Sequence, residues 1–218
     1  MKILLTGFEP FAGEAINPSW EAVCALDGWR FGNEVQVHVQ RLCCVFGQAL
    51  QELDAAIDRL KPQLVIAVGQ AGGRSEITPE RIAINIDDGR ICDNAGCQPI
   101  DQPVVPGAPA AYFSTLPIKA IVQGLRAAGI PASVSNSAGT FVCNHLFYGL
   151  MHRLAREPRM RGGFIHLPYL PEQVLALADA PSLPLATMVE ALRIALRVAA
   201  ERVDDRVDDV RVEGGALH

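Results

Sequence analysis

Short apolar runs and amphipathic stretches succeed one another along most of the chain. The β-rich run over residues 2–6 leads into Gly7. Asn17-Pro18-Ser19 then supplies a helix start, since Asn caps free N–H groups and Pro tolerates the first turn, and predicts a helix to about Leu26. Val35, Val37 and Val39 alternate with Gln36, His38 and Gln40 at the period of a strand, and residues 45–60 form an amphipathic helix closed by Pro62. Leu64-Val65-Ile66-Ala67-Val68 is continuously apolar and stopped by Gly69, as in a strand buried on both faces of a parallel sheet, and a Gly-rich turn over 70–74 follows. A strand at 81–86 precedes the stretch 92–117, whose five prolines predict irregular structure. Helix 118–128, a strand near 132–136, helix 141–155, a strand at 163–166 and helix 172–179 come next. Leu192, Leu196, Ala199 and Val203 give the last helix one apolar stripe, and the charged end from Asp204 is expected to fray. This alternation predicts an open α/β sandwich, one domain over 1–203 with a tail at 204–218.

Composition narrows the function. With 218 residues, 50% of them apolar, the chain can bury the core of a single α/β domain. A formal charge of -5 argues against a protein that tracks a nucleic-acid backbone. The N-terminal apolar run is too short for a signal-peptide core, and no stretch approaches the roughly 18 apolar residues of a membrane span. A soluble cytoplasmic protein is expected. The six cysteines are too widely spread for a secreted disulfide framework and read as reduced thiols. The five histidines form no HxxxH or HExxH pattern, so no metal site is expected.

Cys143 lies in Ser137-Ala138-Gly139-Thr140-Phe141-Val142-Cys143, where a predicted strand turns into a predicted helix. Free N–H groups at a helix start favour thiolate over thiol and can receive an oxyanion. Taken alone, a small buried hydrophobe is the commoner role for a free cysteine. His166 ends the strand Gly163-Phe164-Ile165-His166, at the carboxyl edge where open α/β sheets place ligands; an edge histidine bonded to a loop carbonyl fits that position equally well. His145, two positions after Cys143 on one helix, projects toward another face and reads as structural. Glu80 is a loop carboxylate by default, of interest as a third member that would orient His166.

These residues sit in blocks that resemble the pyrrolidone carboxyl peptidases, also called pyroglutamyl peptidase I. The blocks are Gly7-Phe8-Glu9-Pro10-Phe11-Ala12-Gly13, Asn17-Pro18-Ser19-Trp20, Val68-Gly69-Gln70-Ala71-Gly72-Gly73-Arg74, Pro79-Glu80-Arg81-Ile82-Ala83-Ile84-Asn85, Ser137 to His145, and Gly163 to Glu172. The resemblance implies a three-layer α/β/α sandwich with a mixed, mostly parallel central sheet, of the phosphorylase/hydrolase kind. It implies a Cys-His-Glu triad of Cys143, His166 and Glu80, a ring pocket of Phe8, Phe11 and Phe141, Asn17 and Gln70 near the lactam, and Arg90 near the reacting carbonyl. It further implies peptide substrates with an N-terminal pyroglutamyl residue, no cofactor, and a homotetramer. Ala12 stands where the family usually has Gly, Ser137 where Thr is common, and Gly89 and Cys92 where Ala and Pro are commoner.

The chemistry of the substrate agrees with such a pocket. Pyroglutamate is a compact uncharged lactam, so it needs apolar walls and a few placed hydrogen-bond partners, and no carboxylate for an α-ammonium. Two other readings compete. A phosphorylase-like transferase could cradle phosphate in the Gly72-Gly73-Arg74 turn, though it explains neither Cys143 nor His166. A non-catalytic binder of blocked N-termini would bind product tightly without turnover.

Overall fold

A computed structural model describes the chain apart from Asn33, Ala178, 202–208 and 216–218. Its strands are β1 (Lys2–Phe8), β2 (Arg30–Phe31), β3 (Val35–Leu42), β4 (Leu64–Gln70), β5 (Thr78–Pro79), β6 (Ile82–Ile84), β7 (Ala111–Phe113) and β8 (Arg161–Leu167). Its helices are α1 (Pro18–Cys24), α2 (Gln48–Leu60), α3 (Ile118–Ala127), α4 (Val142–Leu154) and α5 (Leu185–Glu201). The main sheet has the order β2-β3-β1-β4-β8-β5. Its four inner strands are parallel, and the short strands β2 and β5 run antiparallel at the two sides.

Alternation along the strands divides the core. Ile3, Leu5, Leu64, Ile66, Val68, Ile165 and Leu167 face one way, onto α1, α3 and α5. Leu4, Phe8, Val65, Ala67 and Phe164 face the other, onto α2 and α4. The result is a three-layer α/β/α sandwich around a mixed, mostly parallel sheet, as the resemblance implied. Helix α4 is buried along nearly its whole length, which is why its apolar positions follow no single stripe. Asn17 caps α1 as its sequence predicts, accepting from Ser19 N–H at 3.0 Å with Pro18 in the first turn.

Four local expectations change. The strand near 132–136 is reduced to isolated bridges, Ile77 to Ala132 and Glu80 to Ser135, with Ser133 N–H donating to Ile77 O and Ser135 N–H to Pro79 O. In place of helix 172–179 stands a 3-10 turn at Pro171–Gln173; Leu175 and Leu177 beyond it are exposed, so no apolar face exists to hold a helix. The strand at 81–86 shortens to β6 and leaves the main sheet to pair with β7, which lies inside the proline-rich stretch expected to be irregular. The helix expected from residue 45 begins at Gln48, after Gly47 at φ 72°.

Val203 of the predicted stripe and the tail from Asp204 to Asp208 fall outside the described residues. At Asp209 the described chain resumes, and its carboxylate accepts from the N–H groups of Lys119 and Ala120 at 2.7 and 3.0 Å. The first turn of α3, which Pro117 cannot cap, is thus capped from a distant part of the sequence.

Candidate active site

Three elements converge at the carboxyl edge of the sheet. Strand β8 brings His166, strand β4 brings Gly69, and α4 brings Cys143 in its first turn. Gly69 and His166 are register partners, so both point to the α4 side of the sheet. Phe164, two residues before His166, shares that side, with ring centroids 4.8 Å apart. The sulfur of Cys143 fills the space over Gly69: a Cβ built there would lie 2.8 Å from Sγ and 2.8 Å from the Phe164 ring. Glycine is required here for close approach, at an ordinary strand conformation.

Glu80 is fully buried and its Oε1 accepts from His166 Nδ1 at 2.7 Å. That bond fixes the imidazole with Nδ1 protonated and leaves Nε2 as the basic atom. The same oxygen accepts from Arg74 Nη1 at 2.7 Å, and Arg74 also donates to Thr78 Oγ1 and to Ser137 O. Burial alone would raise the Glu80 pKa, but the His166 hydrogen bond, the imidazole and the Arg74 guanidinium together hold it below the ordinary glutamate value. Glu80 is therefore a fixed anion behind His166.

The electrostatics of Cys143 differ from the expectation that a helix start would favour its thiolate. Burial first, and the negative charge of Glu80 second, push the thiol up to about 12 against the weaker opposite pull of Arg74. Burial and the Glu80 charge both act against the thiolate form. The first-turn N–H groups of α4 have no intrahelical acceptor and remain available to an oxyanion.

The expected pocket residues divide by what already holds them. Phe11 and Phe141 face each other with centroids 6.1 Å apart, both partly buried. Phe8 is buried deeper, against Phe164. Asn17 is committed to its own turn, accepting from Ser19 N and Oγ and donating to Glu9 O. Gln70 lies at the end of β4 and accepts from Gln173 Nε2 at 3.0 Å. Arg90 is exposed and has no hydrogen bond or ion pair among the described residues. The chain two residues before it is tied to the start of α4: Asp88 N–H donates to Thr140 O at 2.9 Å and Thr140 Oγ1 donates to Asp88 O at 2.8 Å.

Other contributors had no legible signal in the sequence. Arg74 read as part of a turn that could cradle phosphate, whereas its guanidinium is spent on Glu80, Thr78 and Ser137. A cavity of about 580 Å³ lies beside it, bounded by Thr78, Ser135 and Ser137, and is lined by none of Glu80, Cys143 and His166. Phe46 packs edge-on against Phe141, at 5.3 Å and 88°, and extends the aromatic wall. No group of residues suited to a metal ion is found among the described residues.

Known proteins resemble the chain along nearly its whole length. A family model described as pyroglutamyl peptidase matches residues 1–202. The pyrrolidone-carboxylate peptidase of Cupriavidus taiwanensis is 62% identical over 218 residues, covering 99% of each chain, and that of Klebsiella pneumoniae is 57% identical over 216. Among solved structures, pyroglutamyl peptidase I from Bacillus amyloliquefaciens superposes with a TM-score of 0.92 at 51% identity, covering 97% of this chain and 99% of its own. A variant of the pyrrolidone carboxyl peptidase from Pyrococcus furiosus gives 0.90 at 46%, covering 93% and 100%. The chain belongs to the pyroglutamyl peptidase family of cysteine peptidases.

Proposed function

We propose that the protein hydrolyses the bond after an N-terminal pyroglutamyl residue of peptides, with Cys143 as nucleophile, His166 as acid and base, and Glu80 as the anion that orients and stabilises His166. The observation that carries the reading is the buried 2.7 Å Glu80–His166 pair on a strand whose register partner, Gly69, makes room for a sulfur at a helix start.

As the thiol approaches the scissile carbonyl, His166 Nε2 takes its proton and sulfur bonds to the carbonyl carbon. A neutral thiol suits this order, because the charge created on imidazolium appears beside ionised Glu80. The oxyanion is received by the free N–H of Cys143 at the start of α4, with Arg90 reaching from its exposed loop. Imidazolium then protonates the departing amine and the C–N bond breaks. Water, deprotonated by the same Nε2, attacks the thioester, and pyroglutamate leaves as the thiol is restored. Glu80 takes no proton at any step. Phe8, Phe11 and Phe141 supply apolar surface for the ring, while Asn17 serves through the turn it holds and Gln70 through the end of β4.

A cytoplasmic location accords with this chemistry, since Cys143 acts only as a free thiol. No helix among the described residues is long and apolar enough to cross a membrane. Assembly as a homotetramer accords with the exposed apolar side chains of Ile100, Phe113 and Leu175, and sedimentation equilibrium measures it directly.

Release of a fluorescent amine from its pyroglutamyl amide by wild type and Cys143→Ser tests the reading. Turnover in the wild type that is abolished in the variant is expected, with the prolyl amide at least about a hundredfold poorer in kcat/KM, because proline lacks the ring carbonyl and carries a charge that must be desolvated. Full turnover by Cys143→Ser overturns the assignment.

A further inference from the structure

We propose that His145 is a positioning residue for substrate binding: it locks Gly47 and Asp87 around the start of α4, and so fixes Phe46 against the Phe141 wall and the strip of chain that leads to Arg90. The inference rests on reading Phe141 as a wall of the ring pocket.

Consecutive helical residues point about 100° apart, so Cys143, Asn144 and His145, which follow Val142 at the start of α4, reach three different elements. Cys143 meets the sheet over Gly69. Asn144 faces β6, accepting from Ile84 N–H at 3.1 Å and donating to Ile84 O and Ile86 O at 2.9 and 3.0 Å. His145 faces two loops at once. Its Nε2 accepts from Gly47 N–H at 3.0 Å, so the ring proton sits on Nδ1, which donates to Asp87 Oδ2 at 2.8 Å.

Both loops bear on the pocket. Gly47 follows Phe46, whose ring lies edge-on to Phe141 and, at 5.5 Å and 86°, to the His145 ring itself. The N–H of Phe46 is held separately by Asp93 Oδ2 at 2.9 Å, so two successive amides are pinned and the aromatic ring between them has a defined direction. On the other side, Asp87 closes a run that Asn144 fastens at Ile84 and Ile86 and Thr140 fastens at Asp88. Arg90 emerges two residues later. An imidazole suits the place because a rigid ring can accept on one side and donate on the other. Glutamine can make both bonds from one amide, whereas leucine makes neither.

The test compares His145→Leu and His145→Gln with wild type on the pyroglutamyl amide, reading KM, kcat and inhibition by free pyroglutamate. In His145→Leu, KM and the inhibition constant are expected to rise about tenfold or more while kcat per active site changes less than about threefold, the pattern of lost positioning in binding. His145→Gln is expected to recover most of that loss. A role in stability alone would lower the unfolding midpoint and the number of active sites and leave both constants unmoved. If His145→Leu fails to fold, Phe46→Ala takes its place in the comparison and is expected to raise KM while His145→Gln stays near wild type. Phe141→Ala separates the premises. If it raises KM while the His145 and Phe46 variants do not, the positioning role is wrong; if Phe141→Ala leaves KM unchanged, the pocket reading fails and this inference with it.

Discussion

The sulfur of Cys143 occupies the place a side chain at Gly69 would take, with only 2.8 Å between Sγ and a Cβ built on that glycine. A methyl group there must push the sulfur off its position over Gly69 or displace the Phe164 ring. Gly69→Ala is expected to lower kcat by about a hundredfold, since misplacing a nucleophile by an ångström has that effect. Overpacking should also destabilise the fold by about 1–3 kcal/mol. Steady-state kinetics with a urea titration check both, and normal kcat in the variant would show that the sulfur has slack.

Glu80 gives the fold a pH dependence of defined sign. Its folded pKa is depressed, so it stabilises the protein above its unfolded value of about 4.3, and that contribution is lost as pH falls through the lower folded value. Glu80→Gln is expected to flatten the acid limb of stability against pH, and to lower kcat by about a thousandfold or more because an amide cannot stabilise imidazolium. Arg74→Met should move the acid limb to higher pH, toward the ordinary glutamate value, by removing the guanidinium from that oxygen. Urea midpoints between pH 3 and 6 measure these shifts, and superimposable curves for wild type and Glu80→Gln would refute the linkage.

Alkylation separates the thiols by exposure and by charge. Cys92 and Cys97 are exposed and should react with iodoacetamide first without loss of activity. Inactivation should follow Cys143, whose thiol is pushed up to about 12. Its rate is expected to climb about tenfold per pH unit between 7 and 9, as the thiolate fraction does. Peptide mass mapping beside activity tests the order. A rate already level at pH 7 would mean that sulfur and imidazole rest as an ion pair.

Ala12 sits at φ 55°, followed by Gly13 at φ 79°, in the turn closed by Glu14 N–H on Phe11 O. The loop makes a left-handed turn through an alanine, at a local steric cost of about 1 kcal/mol. Ala12→Gly is expected to raise stability by up to about 1 kcal/mol, reduced by the extra freedom glycine has when unfolded. An unchanged or lower urea midpoint would count against strain at this position.

The sequence by itself determined the layers, and it pointed to the proposed triad only through the family resemblance. Period-two runs at Val35–Val39, the doubly buried run Leu64–Val68 and the cap at Asn17 are local signals, and local backbone preference together with burial suffices to read them. Tertiary structure decided what no spacing encodes. Residues 132–136 paired only through two bridges, with residues some 55 positions earlier, and 172–179 became a turn because a helix needs an apolar surface to pack on. The Cys143 thiol was raised where a helix start suggested the reverse, because desolvation depends on everything packed around the sulfur. Arg74 on Glu80, Gly47 on His145 and Asp209 on α3 are likewise contacts made by the closed fold. Hydrogen bonds and charges act over a few ångströms of space whatever the separation along the chain, so these partners become visible only once the layers have packed.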